Sequence, residues 1–93
     1  MTTTLQGTRV NSRAEATGKD GYIPGCYWPV GDEGRRQWWI IDPTGHIGRL
    51  GTGHSITEFE DGTITVSPSI LSTVADHGHD WHGYLREGVW EEC

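Results

Sequence analysis

A chain of 93 residues with a formal charge of −6 and 33% hydrophobic residues is one small domain, of a size at which only about 60 to 65% of the unfolded surface is buried. The longest apolar run, Trp38-Trp39-Ile40-Ile41, falls far short of the roughly 20 residues a bilayer crossing requires, and the opening residues lack the basic and then apolar regions of an export signal. A soluble protein that stays where it is made is the expectation. The two cysteines, Cys26 and Cys93, are too few for a disulfide framework.

Charge divides unevenly. Residues 1–50 carry Arg9, Arg13, Lys19, Arg35, Arg36 and Arg49 against five acids, whereas residues 51–93 carry Arg86 against eight. Nucleic-acid backbones are held by clustered Lys and Arg that release counterions, so the second half would repel them and general nucleic-acid binding is disfavoured.

In chain order, residues 1–20 are polar and without periodicity, which reads as an N-terminal arm, with a β-rich domain over 21–93. From Tyr22 onward short apolar runs are punctuated by Gly and Pro, the pattern of short strands and tight turns. Pro24 and Pro29 break any strand at 22–30 or place it at an edge. Residues 36–41 form a strand ended by Asp42-Pro43, and the glycines at 45, 48, 51 and 53 make the next segment turn-rich. Asp61-Gly62 joins strands 56–60 and 63–66 as a two-residue turn, which pairs Phe59 with Ile64 and Thr57 with Val66. Ser67-Pro68-Ser69 caps one helical turn through 70–74. A second hairpin runs 81–86, turns at Glu87-Gly88 and returns through 89–91, setting Leu85 opposite Trp90 and pointing His82, Tyr84 and Arg86 to the other face. The fold class is all-β or β-rich: one small domain of short antiparallel strands and hairpins with Gly and Pro turns.

All five histidines lie between positions 46 and 82. Zinc is held by His at short spacing plus a distant second pair, which makes His79 and His82, with His46 or His54, the metal-ligand set. The alternative is a polar loop whose histidines face water, and no cofactor is then needed. No Gly-x-Ser-x-Gly elbow, His-Glu-x-x-His helix or phosphate-cradling Gly-x-x-x-x-Gly-Lys loop is present, so no catalytic residue is assigned. Trp38 and Trp39 are adjacent in a strand and point to opposite faces. An exposed Trp beside Arg35 and Arg36 has the composition of a protein-binding hot spot, which makes Arg35, Arg36, Trp38 and Trp39 the binding candidates.

At 63–70 (Thr-Ile-Thr-Val-Ser-Pro-Ser-Ile) and 81–90 (Trp-His-Gly-Tyr-Leu-Arg-Glu-Gly-Val-Trp) the sequence resembles small phage and bacterial proteins of domain-of-unknown-function family 6527, the short actinobacteriophage-type members most of all. Members have a strand ending in Ser-Pro-Ser-Ile, a Cys-x-x-His and a hairpin of the type His-aromatic-aromatic-Ile-Arg-Asn-Gly, and typical ones carry a Cys-Gly-Cys cluster further upstream. Here His79-Asp80-Trp81-His82 stands in the Cys-x-x-His place and residues 42–46 in that of the cluster. The family's cysteines look like metal ligands, so the resemblance implies a site converted to His46, His79 and His82, or lost. No shared activity carries over.

These readings converge on a non-enzymatic, phage-type accessory protein that binds a protein partner in the cytoplasm of the infected bacterium. Two alternatives stay open. One is a virion structural or accessory subunit whose arm lies on a neighbour. The other is a small-molecule protein that sequesters a nucleotide with Trp39, Arg35, Arg36 and the turns of 45–53, whose backbone amides form anion-binding nests.

Overall fold

The computed structural model describes residues 4–32, 36–51, 53–72 and 81–93. Among these residues there is no helix, and the strands follow as β1 (Thr4–Gln6), β2 (Thr8–Arg9), β3 (Thr17–Gly18), β4 (Gly21–Tyr22), β5 (Cys26–Val30), β6 (Gln37–Ile41), β7 (Ile47–Arg49), β8 (Ser55–Glu58), β9 (Ile64–Ser72), β10 (Trp81–Arg86) and β11 (Val89–Glu92). The all-β expectation holds. A five-stranded antiparallel sheet has the order β1-β11-β10-β9-β8, a four-stranded sheet the order β2-β5-β6-β7, and β3 and β4 pair by themselves.

Period-2 alternation decides what each sheet buries. Tyr27, Trp38 and Ile40 of the four-stranded sheet share one core with Ile64, Val66, Ile70, Trp81, Leu85 and Trp90 of the five-stranded sheet. Trp81 and Trp90 meet edge to face, centroids 5.3 Å apart at 78°, a geometry the ring quadrupoles favour. The Trp90 indole, fully buried, donates from Nε1 to the Gly25 carbonyl at 3.0 Å, so its polar atom is satisfied where water cannot reach. A second cluster, Ala16, Cys26, Trp28 and Ile41, fills the opposite face of the four-stranded sheet, with Val10, Tyr22, Trp39 and Ile47 packed against it.

Residues 1–20, expected to form an arm, differ most from the sequence reading. β1 pairs with β11, in register Leu5↔Trp90, and β2 pairs in parallel with β5. The chain crosses between the sheets at Gly7, whose amide donates to the Gly88 carbonyl at 2.7 Å. A Cβ there would sit 2.6 Å from that carbonyl oxygen, so glycine is what lets the crossing backbone approach. Ladder bonding uses backbone groups alone, and a polar sequence therefore enters a sheet without announcing it. The strand expected to be broken or at an edge because of its prolines is instead unbroken over Cys26–Val30 and lies between β2 and β6. Pro29 is tolerated because β2 covers β5 only at Cys26 and Tyr27, so no ladder bond on that side calls for the N–H that Pro29 lacks.

The Glu87-Gly88 hairpin has the expected register, Leu85↔Trp90 and Arg86↔Val89, and both turn residues have positive φ, 48° and 79°, as a type I′ turn requires. The hairpin at Asp61-Gly62 is shifted by one residue from expectation: Ile56 pairs with Val66 and Glu58 with Ile64. Its loop has three residues, closed by Phe59 N to Thr63 O at 2.9 Å and Gly62 N to Phe59 O at 2.9 Å, with Gly62 at φ 89°. That is a type I turn followed by a left-handed residue, and the one-residue slip turns Phe59 outward. The helical turn expected after Ser67 is strand instead, since β9 continues to Ser72; residues 73–80 lie outside the described ones. Between Val66↔Leu85 and Ile70↔Gly83, residues 67–69 bulge opposite Tyr84 alone.

Candidate functional site

Two surfaces emerge from this framework. The first is a cleft of about 470 Å³ beside β6, β7 and β8. Trp38, Leu50 and Ile56 form its apolar floor, while Arg36, Gln37, Arg49 and His54 supply its polar wall. Arg36 enters from the start of β6 and its guanidinium pairs with Glu58 Oε1 at 2.6 Å. The other carboxylate oxygen of Glu58 takes Arg9 of β2 at 2.6 Å. Hydrogen bonding from Arg9, aided by the charge of Arg36 and opposed by slight burial, holds the Glu58 carboxyl below the usual carboxylate range. Arg49 donates to Gln37 Oε1 at 3.4 Å and lies 5.9 Å over the Trp39 ring.

The expected contact residues are therefore divided. Trp38 and Trp39 do face opposite sides, but Trp38 is core, with only 4% of its surface exposed and Arg9 stacked 5.2 Å over its ring. Trp39 is half-buried on the other face, flanked by Arg13 at 5.2 Å. Arg36 and Trp38 meet at the cleft, Trp39 does not, and Arg35 lies outside the described residues. Arg49, Gln37 and Ile56, which complete the cleft, carry no local motif: Gln37 begins β6, the return of β7 against β6 brings in Arg49, and β8 of the other sheet brings in Ile56.

The histidines are also divided. His46 closes the β6–β7 turn, its Nδ1 2.9 Å from Thr44 Oγ1. In the same turn the buried Asp42 carboxylate accepts from the Thr44 hydroxyl, the Thr44 amide at 2.8 Å and the His46 amide at 3.1 Å. His54 and His82 converge on one residue: His54 Nε2 is 3.2 Å from the Ser69 carbonyl and His82 Nε2 is 2.9 Å from the Ser69 hydroxyl. His79 lies outside the described residues, among which no group of three or more His, Cys, Asp or Glu is placed to hold a metal.

The second surface is a shallow depression of about 410 Å³ on the outer face of the five-stranded sheet, where the bulge at Ser67 and Pro68 leaves a step between Phe59 and Tyr84. Phe59 is exposed. Tyr84 carries Arg86 over its ring at 4.1 Å. Glu87 lines the depression, Glu60 and Asp61 flank Phe59, and Glu91 sits opposite Tyr84 in the ladder. Asp61 is held below the usual carboxylate range by hydrogen bonds from the Thr63 hydroxyl and amide, so it stays ionised. The alternation of 81–86 discloses Tyr84 on this face; the exposure of Phe59 depends on the hairpin register.

Comparison with protein-family models, with curated proteins and with solved structures gave no match. Among the described residues no helix is long and apolar enough to cross a membrane.

Proposed function

We propose that the protein is a non-enzymatic binding protein that takes a protein partner onto the outer face of its five-stranded sheet. The observation that carries this reading is the depression between Phe59, Pro68 and Tyr84: apolar anchors around a step in the sheet, with acids about them. Binding hot spots concentrate in aromatic anchors that fill or form pockets, and charge around the anchors selects the partner's sign. Glu60, Asp61, Glu87 and Glu91 outnumber Arg86 here, so the fitting partner presents an apolar side chain flanked by Lys or Arg. The phage-type setting in an infected bacterial cell is part of the proposal and rests on the resemblance at 63–70 and 81–90. The virion alternative draws less support, because residues 4–9 pair within their own domain's sheets.

The test is capture by immobilised protein in three forms: the natural chain, Tyr84→Ser and Arg49→Ala. A partner held by the natural chain and by Arg49→Ala but lost by a folded Tyr84→Ser is expected. A partner retained by Tyr84→Ser refutes the site.

A further inference from the structure

We propose that the outer edge of β8 takes an extended segment of a partner protein as an added antiparallel strand, with an apolar side chain of the segment in the cleft and an acidic one against Arg36. β8 ends the five-stranded sheet, and its ladder is with β9 alone. The bond from Phe59 N to Thr63 O sets the phase of that ladder. Bonded and non-bonded residues alternate in an antiparallel pair, so Ser55 and Thr57 bond β9 while Ile56 and Glu58 turn their N–H and C=O groups away from it. Those groups are a template for another strand. Edges are commonly guarded by Lys, Pro or a bulge. β8 has none of these, and its one charge, on Glu58, is already bound by Arg9 and Arg36.

What lies beyond the edge decides what the added strand must carry. A strand placed about 4.8 Å outside β8 lies over the cleft of about 470 Å³, whose floor is Trp38, Leu50 and Ile56. Side chains alternate between faces, so the residue opposite Ile56 points inward with it, onto that apolar floor. The residue opposite Glu58 points inward too, towards the cluster of Glu58 with Arg9 and Arg36. There two guanidiniums share one carboxylate, and the only hydrogen bond of the Arg36 side chain among the described residues is the one to Glu58. The cluster therefore keeps an excess positive charge, which an acidic residue balances and a basic one would increase. Antiparallel direction fixes the order in the partner: the acid first, the apolar residue two positions later. Main-chain bonds then supply affinity and the alternate side chains selectivity, as in other strand additions. This edge is separate from the outer face of the sheet and does not depend on the partner proposed there.

The experiment titrates the full chain with the terminally blocked peptide Thr-Glu-Thr-Leu-Thr-Val-Thr, following binding by calorimetry and amide exchange by NMR. In the free protein the Ile56 and Glu58 amides should exchange quickly and the Thr57 amide slowly. Free peptide at about ten times Kd should slow the first two about tenfold. The reversed sequence, Thr-Val-Thr-Leu-Thr-Glu-Thr, should bind more weakly, and the first peptide methylated on its Leu and Glu nitrogens not at all. Gln in place of Glu in the peptide should cost about two- to fivefold, the range of a partly exposed ion pair. Arg36→Ala should abolish that difference, and Tyr84→Ser should bind as the natural chain does. No binding at millimolar peptide, or binding that leaves Ile56 and Glu58 exchanging quickly, overturns the proposal. So does protection of both amides that grows with protein concentration in the absence of peptide, which would assign the edge to a second copy of the chain.

Discussion

Replacing Arg9 by Ala removes one side chain that ties three parts of the fold together. Arg9 stands on β2, in the segment whose composition reads as an arm. Its guanidinium bonds Glu58 Oε2 at 2.6 Å and the Gly62 carbonyl at 3.1 Å and covers the Trp38 ring at 5.2 Å. Its side chain is 26% exposed and that of Glu58 36%, so the ion pair is screened and contributes about 0.5 to 1 kcal/mol. The cation over the ring adds about 0.5 to 1 kcal/mol, and the partly buried bond to Gly62 about 0.5 kcal/mol. The sum is about 1.5 to 2.5 kcal/mol, which lowers the melting temperature of a domain this size by roughly 8 to 15 °C. Urea denaturation of Arg9→Ala and Arg9→Lys measures it, Lys keeping the charge and losing the planar stacking. The natural chain should also show the steeper acid limb. Because the Glu58 carboxyl titrates lower when folded than when unfolded, its contribution is complete above the unfolded value and disappears as pH falls through the folded one; without Arg9 most of that slope vanishes. A change of less than about 0.5 kcal/mol, the range of ordinary surface substitutions, would refute the clasp and restore the arm.

Two further outcomes follow from the cysteines and the histidines. Burial raises the Cys26 thiol, whereas Cys93 is exposed; a thiol reagent near neutral pH should therefore modify one group quickly in the native protein and a second only on unfolding, and two fast thiols would contradict the packing of Cys26. Zinc ligation through the Nε2 atoms of His54 and His82 would displace both from Ser69, so protein purified without a metal-affinity tag should hold well under one zinc per chain by elemental analysis and keep its melting temperature in a chelator. Stoichiometric zinc would show that the ligand set read from the sequence does assemble.

How much of this was legible in the sequence depends on what each element uses to define itself. The Glu87-Gly88 hairpin was, because an alternating strand on each side and a turn residue of each required kind leave a single register. The Asp61-Gly62 hairpin was misplaced by one residue, because the same dipeptide serves a two-residue loop or the end of a three-residue loop, and the choice decides whether Phe59 is core or surface. Opposite orientation of Trp38 and Trp39 follows from strand geometry alone, but which of them is covered depends on where the second sheet lies. The N-terminal strands were illegible because their bonds are made by backbone groups; Val10 and Ala16 are too sparse to show a period. Of the cleft, Arg36 and Trp38 were in view. Arg49 and His54 join them only through the β6–β7 return and the chain that follows it. The Phe59 and Tyr84 surface was half visible, Tyr84 by alternation and Phe59 not at all.

Site-specific photocrosslinking addresses the docking face most directly. A benzophenone side chain placed at Phe59, which is 37% exposed beside the depression, should link covalently to the captured partner. The same group at Val30, 45% exposed at the end of β5 in the other sheet, should not. Crosslinking from position 59 alone, lost when Tyr84→Ser is added, is the predicted result. Crosslinking from position 30 with none from 59 would contradict the assignment of the five-stranded sheet as the binding face.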